Sequence, residues 1–163
     1  MITIHCLNME AGQRGDRLLK LVNPLPLYLV GAWETPGADG GGNCFFATVQ
    51  MMALLIEAGK SEGFVARSGV FEHPDMTEAV VHSWLERSAI VMNVSNLRTR
   101  PLYVTPRARY YSTNFVGRRF EPIPPARVRR VLKRHDGDVR EATKRLFKPA
   151  MTYLGAGRAV RPV

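Results

Sequence analysis

The sequence predicts an α+β fold: a buried central helix with a cysteine in its first turn, short strands that include a hairpin, and a helical appendage at the C-terminal end. Three features predict it. Residues Cys44 to Ile56 carry no charge, and a helix that is apolar or small on every face belongs inside a domain rather than on its surface. Short β-type runs follow, two of them a hairpin's length apart. After Pro122, Pro124 and Pro125 the pattern changes to short basic helices.

A chain of 163 residues fits one ordinary domain, or a small domain with an appendage, and can bury a proper core. The longest uncharged stretch around the central helix, Gly40 to Ile56, is too short and too glycine-rich at its start to span a bilayer, so no membrane segment is expected. The first residues lack the basic and apolar regions of a secretory signal, which makes a cytoplasmic location the expectation. Two cysteines, Cys6 and Cys44, do not make a disulfide framework. The net charge of +9 is unevenly placed. Residues 1–116 hold ten Lys/Arg and ten Asp/Glu, whereas residues 117–163 hold thirteen Lys/Arg against Glu121, Asp136, Asp138 and Glu141. The whole excess therefore sits in the last 47 residues, as expected of a segment that meets a polyanion or of a solvated basic face.

The elements follow in order. Residues 1–42 read as short strands and turns, with an apolar run from Leu25 to Trp33 and a loop from Pro36 to Gly42 that can be neither helix nor central strand. The helix is placed at Cys44–Ala58, with Gly59 as its C-terminal cap. Phe64-Val-Ala66 reads as a strand and is followed by a loop containing Gly69 and His73. Val80–Glu86 and Ala89–Val94 read as a hairpin turning at Arg87-Ser88, and Leu102–Val104 and Tyr110-Tyr111 as further strand. Ala126–Arg134 and Asp138–Phe147 read as helices broken at His135–Gly137. The division predicted is an α+β domain over 1–121 and a basic helical appendage over 122–163.

A thiol is a nucleophile only as thiolate, and its pKa falls at a helix N-terminus beside an imidazole. Cys44 meets the first condition by position, and Gly40–Gly42 lets a substrate backbone approach. Amides at the same helix start can receive an oxyanion. His82, on a strand, is the candidate base. With Arg87-Ser88 as the turn, His82 lies opposite Asn93, whose amide would orient the ring; Asn96 is the reserve. A one-residue change of register would turn Asn93 to the other face. No cofactor motif is found, and Cys44, His82 and His73 lack the paired-ligand spacing of a zinc site.

Gly-Asn-Cys44-Phe-Phe-Ala47, a buried helix ending Glu-Ala-Gly59, His82-Ser-Trp-Leu-Glu86 and Val91-Met-Asn93-Val-Ser95 together resemble the transglutaminase-like superfamily of bacterial cysteine enzymes, across residues 40–111. The resemblance implies a cysteine-opened helix on an antiparallel sheet. It also implies a hydrolase or acyl transferase (peptidase, amidase or transglutaminase-like) acting on a peptide or other amide or acyl substrate through a thioester. Cys44 would be nucleophile, His82 base and Asn93 orienter, with asparagine in place of the family's aspartate, as in papain-like proteases. Gly-Asn-Cys-Phe-Phe alone also resembles the ovarian-tumour class of deubiquitinases, whose histidine motif is not matched here. The competing reading is a catalytically inactive binding protein of the same fold, with its basic tail on nucleic acid or a protein partner.

Residues 126–154 resemble the helix-turn-helix of the Fis class of DNA-binding proteins, although Phe147-Lys-Pro149 replaces the turn and Gly155 and Gly157 shorten the third helix. The same spacing suits a ubiquitin-associated-like module. A basic hairpin docked on the catalytic domain is ranked ahead of both. On nucleic acid, Arg127, Arg129, Arg130, Lys133, Arg134, Lys144 and Arg145 would touch phosphates.

Overall fold

The computed structural model describes residues 43–72, 79–93, 103–114, 116–155 and 160–162. Helix α1, Asn43–Glu57, falls within one residue of the expected span. Gly59 ends it at φ +66. Its amide donates to the carbonyl of Ile56 and that of Lys60 to Leu55, the paired closure that satisfies the last orphan carbonyls of a helix.

The strands are β1 (Phe64–Phe71), β2 (Ala79–Arg87), β3 (Ile90–Asn93), β4 (Tyr103–Pro106), β5 (Val116–Arg119) and β6 (Val160–Pro162). They form one sheet in the order β4-β3-β2-β1-β5, antiparallel throughout, while β6 lies parallel to β2 at Ala79–Val81. The helices after α1 are α2 (Arg107–Thr113), α3 (Pro125–Arg134), α4 (Val139–Leu146) and α5 (Lys148–Gly155). The molecule is thus α+β.

Successive side chains on a strand point to opposite faces, and here the two faces hold different cores. Phe64, Ala66 and Val70 of β1 and Val81 and Leu85 of β2 meet Phe45, Val49, Met52 and Leu55 of α1. On the other face Trp84 packs with Val91 and Tyr110, flanked by Phe71, Tyr111 and Val116. Gly69 is required there. A Cβ on it would lie 2.9 Å from Trp84 Cη2, 2.9 Å from the carbonyl of Arg118 and 3.0 Å from Val116 Cγ1, so only a glycine lets the indole lie against the strand. That explains why β1 runs through a residue expected in a loop.

Two other expectations are corrected. The hairpin turns at Ser88-Ala89, with Ser88 at φ 54, and pairs Arg87 with Ile90, Glu86 with Val91 and Leu85 with Met92. Tyr110 and Tyr111 lie on α2 rather than a strand. The helix lays both rings against Trp84, with centroids 5.3 and 5.9 Å away, a tertiary packing that overrides their β-propensity.

The C-terminal helices share the core of α1. Val128, Ala142, Leu146, Phe147 and Ala150 are buried in the same cluster as Phe45 and Met52, and the Phe147 ring lies 4.9 Å from that of Phe45. Pro122 marks a change of secondary structure; the packing continues across it. Helix α1 lies between the sheet and the α3–α4 pair, which accounts for its apolar character all round.

Candidate functional site

Cys44 stands in the first turn of α1, as expected, and is 1% exposed. Its thiol lies on the helix side of the sheet, hydrogen-bonded with the hydroxyl and backbone of Ser83. Ser83 Oγ is in turn 3.0 Å from Thr48 Oγ1. Burial pushes the thiol up to about 11, against the smaller opposing effect of the Ser83 hydrogen bonds. A thiol so placed is protonated at neutral pH and makes a poor nucleophile.

His82 is also buried, on the other face. It neighbours Ser83 in β2, so its side chain points away from the one Cys44 touches. Its ring lies against Phe71 (centroids 5.3 Å apart) and stacks with Trp84 (6.1 Å). The sheet therefore separates the two members of the expected pair. Asn93 ends β3 and pairs through its backbone with Tyr103 of β4. In the observed register β3 does not reach His82, because Leu85 already pairs with Met92; the direct His82–Asn93 pairing is corrected with it. Asn96, Cys6, His5 and His73 lie outside the described residues. Among the described residues no cluster of His, Cys, Asp or Glu could hold a metal, and no helix is long and apolar enough to cross a membrane.

Burial yields a prediction about Cys44. Iodoacetamide at pH 8 should leave it unlabelled in the native protein and label it once urea unfolds the chain, with Cys44→Ala identifying the modified peptide by mass. The thiol's folded pKa is raised above its ordinary value of 9.0, so above that pH the unfolded chain binds fewer protons than the folded one. Its contribution to stability is then lost as pH rises from about 9 toward 11. The alkaline fall in stability should accordingly be smaller in Cys44→Ala. Rapid labelling of the native thiol at pH 8 that disappears in His82→Ala would instead reveal a working pair.

The face that buries His82 also holds a polar network that sequence reading did not anticipate. Glu86, 4% exposed, accepts a hydrogen bond from Tyr111 Oη at 2.9 Å and forms ion pairs with Arg67 at 2.8 Å and Arg107 at 3.8 Å. Arg119 covers the Tyr111 ring, 4.8 Å from its centroid. Burial, then the bond to Glu86, pushes the phenol up to about 12. The network ties α2 to β1, β2 and β5 of the sheet: a buried carboxylate is tolerated when its lone pairs are taken up. Its signal in the sequence was slight, a lone glutamate at the end of a run otherwise suited to burial.

The basic segment presents a different kind of surface. On α3, Val128 faces the core and Arg129, Arg130, Lys133 and Arg134 are exposed. On α4, Ala142, Thr143 and Leu146 face inward and Arg140, Lys144 and Arg145 outward; Lys148 follows, exposed. The few carboxylates nearby are partly engaged. Asp138 caps α4, accepting from the amides of Glu141 (3.1 Å) and Arg140 (2.8 Å), and those bonds, led by that from Glu141, hold its carboxyl below the usual range. Glu141 pairs with Lys144, and Glu121 with Arg127 at 3.7 Å. Among the described residues no carboxylate forms an ion pair with Arg129, Arg130, Lys133, Arg134, Arg140, Arg145 or Lys148. Arg127 and Lys144, expected to contact phosphates, are thus partly neutralised, and Arg140 and Lys148 join the exposed set. Basic composition pointed to both; their orientation depended on which helix faces are buried.

No protein-family model matches the chain, and no curated protein or solved structure is significantly similar to it.

Proposed function

We propose that the protein is a non-catalytic nucleic-acid-binding protein whose contact surface is the exposed side of α3 and α4. The observation that carries this reading is the row formed by Arg129, Arg130, Lys133, Arg134, Arg140 and Arg145 on the solvent side of two packed helices, none of them in an ion pair with a described carboxylate. Such a row attracts polyanions and repels itself in their absence. Phosphates are the natural partner, since guanidinium groups bind them bidentately. Anisotropy titration of a labelled 20-base-pair duplex at several salt concentrations tests it. Engaging five to seven cations gives a slope of log affinity against log salt of about −4 to −6. No binding at about 50 mM salt, where such contacts are strongest, would overturn it.

The second reading, a hydrolase or acyl transferase forming a thioester on Cys44, keeps in its favour the cysteine's place in the first turn of α1. It requires a base on the helix side of the sheet. Ser83 and Thr48 stand there, and neither hydroxyl is a base at neutral pH. A native Cys44 that iodoacetamide leaves unlabelled at pH 8 would overturn this second reading, while the titration tests the first.

A further inference from the structure

The exposed groups on the basic helices also restrict what kind of nucleic acid they suit, provided the reading above holds. We infer that the ligand is a double helix, held through its phosphates without base readout.

Charge density comes first. Arg129, Arg130, Lys133 and Arg134 fall within six consecutive residues of α3, an axial length of about 9 Å. A duplex carries one charge per about 1.7 Å of axis, about five over that length, and a single strand about half as many. The cations are held on a fixed frame as well: α3 and α4 are joined by a tight turn with Asp136 at φ 49 and Gly137 at φ +82, closed by the Asp138 cap. A rigid, dense row of charge is matched by the regular phosphates of a double helix.

The second observation is the chemistry this surface lacks. Single strands are gripped by exposed aromatic rings on which bases stack. On α3 and α4 the exposed residues are Ala126 and cations already named, and none is aromatic. The nearby rings are occupied: Phe147 is buried against Phe45, and Tyr153 lies beneath the Arg118 guanidinium, 5.2 Å from its ring centroid.

Third, base readout needs a helix presenting several side chains to groove edges, commonly asparagine, glutamine or arginine. In the helix-turn-helix arrangement that helix would be α5. Ala150 is buried in the core and Met151 and Tyr153 pack against it. That leaves Lys148, Pro149 and Thr152 as the exposed side chains described on α5, two polar groups four residues apart, fewer than the three or four base-contacting side chains a recognition helix presents. Duplex shape and phosphate charge remain.

The test is a set of anisotropy titrations of the full chain at one salt concentration. The probes are two DNA duplexes of unrelated sequence, an RNA duplex of equal length and an unstructured single strand. The expected result is affinities for the two DNA duplexes within about threefold and a single strand at least about tenfold weaker, as its lower charge density requires. The RNA arm identifies which duplex supplies the phosphates. Lys148→Gln should weaken both DNA sequences by the same factor. A single strand bound more tightly than any duplex, or a loss in Lys148→Gln confined to one DNA sequence, would overturn the inference while leaving nucleic-acid binding intact. Failure of every probe to bind overturns the functional reading itself.

Discussion

Exchanging Arg129, Arg130, Lys133 and Arg134 together for glutamine is expected to lower duplex affinity about four-thousandfold at about 0.1 M salt and to flatten the salt dependence by about three to four units of slope. Both figures follow from counterion release, in which each phosphate contact contributes a factor of salt concentration to about the 0.9 power. At that salt each contact is worth somewhat under tenfold. The fold should survive, because all four side chains are exposed and glutamine is nearly as good a helix former as the residues it replaces. Lys133 and Arg134 occupy the last turn of α3, where positive charge favours the helix by a few tenths of a kcal/mol, so a small fall in melting temperature is also expected. Unchanged affinity in the folded variant would remove α3 from the interface and leave the functional reading without its main support.

The specificity of this outcome lies in comparing equal charges in different surroundings. Arg67 and Arg107 are cations too, but they hold the buried Glu86 carboxylate. Replacing either changes the packing of α2 before it changes any ligand, since a buried charge losing its partner is costly. Total charge therefore predicts little; what matters is whether a carboxylate of the protein already faces the cation.

Some of this was legible in the sequence and some was not, for physical reasons. Helix α1 was legible because a run without charge from Cys44 to Ile56, followed by Glu57, Ala58 and the stop signal Gly59, has few alternatives. The β2–β3 hairpin was legible as a pair. Its register was not, since Arg87-Ser88-Ala89 contains no dipeptide that fixes a turn. The observed pairing moves each partner by two positions, and such a shift keeps every side chain on its original face, so the hydrophobic pattern cannot detect it. The side of the sheet met by α1 was hidden as well. Val80 to Glu86 are all buried, and a strand buried on both faces loses the alternation that would say which of His82 and Ser83 turns toward Cys44. Gly69 held the available clue: a glycine paired with His82 and crowded by Trp84 marks the face that the large rings fill.

The depth at which the C-terminal helices are built into the molecule makes Phe147→Ala the largest stability effect expected. Phe147 is 1% exposed and its ring lies 4.9 Å from that of Phe45 on α1. Truncating a fully buried phenylalanine removes its transfer free energy and leaves a cavity, together about 3–5 kcal/mol. In a chain of this size that lowers the melting temperature by roughly 6–20 °C. Where the loss appears is as informative as its size. Phe45, Phe147, Leu146 and Val128 belong to one buried cluster with Val81 and Leu85 of the sheet, so circular dichroism at 222 nm and tryptophan fluorescence should report the same lowered transition. A detachable appendage would behave otherwise, its helical signal melting early while the tryptophan transition stayed in place. Coincident transitions would also imply that the basic face of α3 and α4 keeps its shape only as long as α1 and the sheet are folded. The spacing of its cations is then a property of the whole core, and the variant should lose duplex affinity on heating at the same temperature at which it loses its sheet.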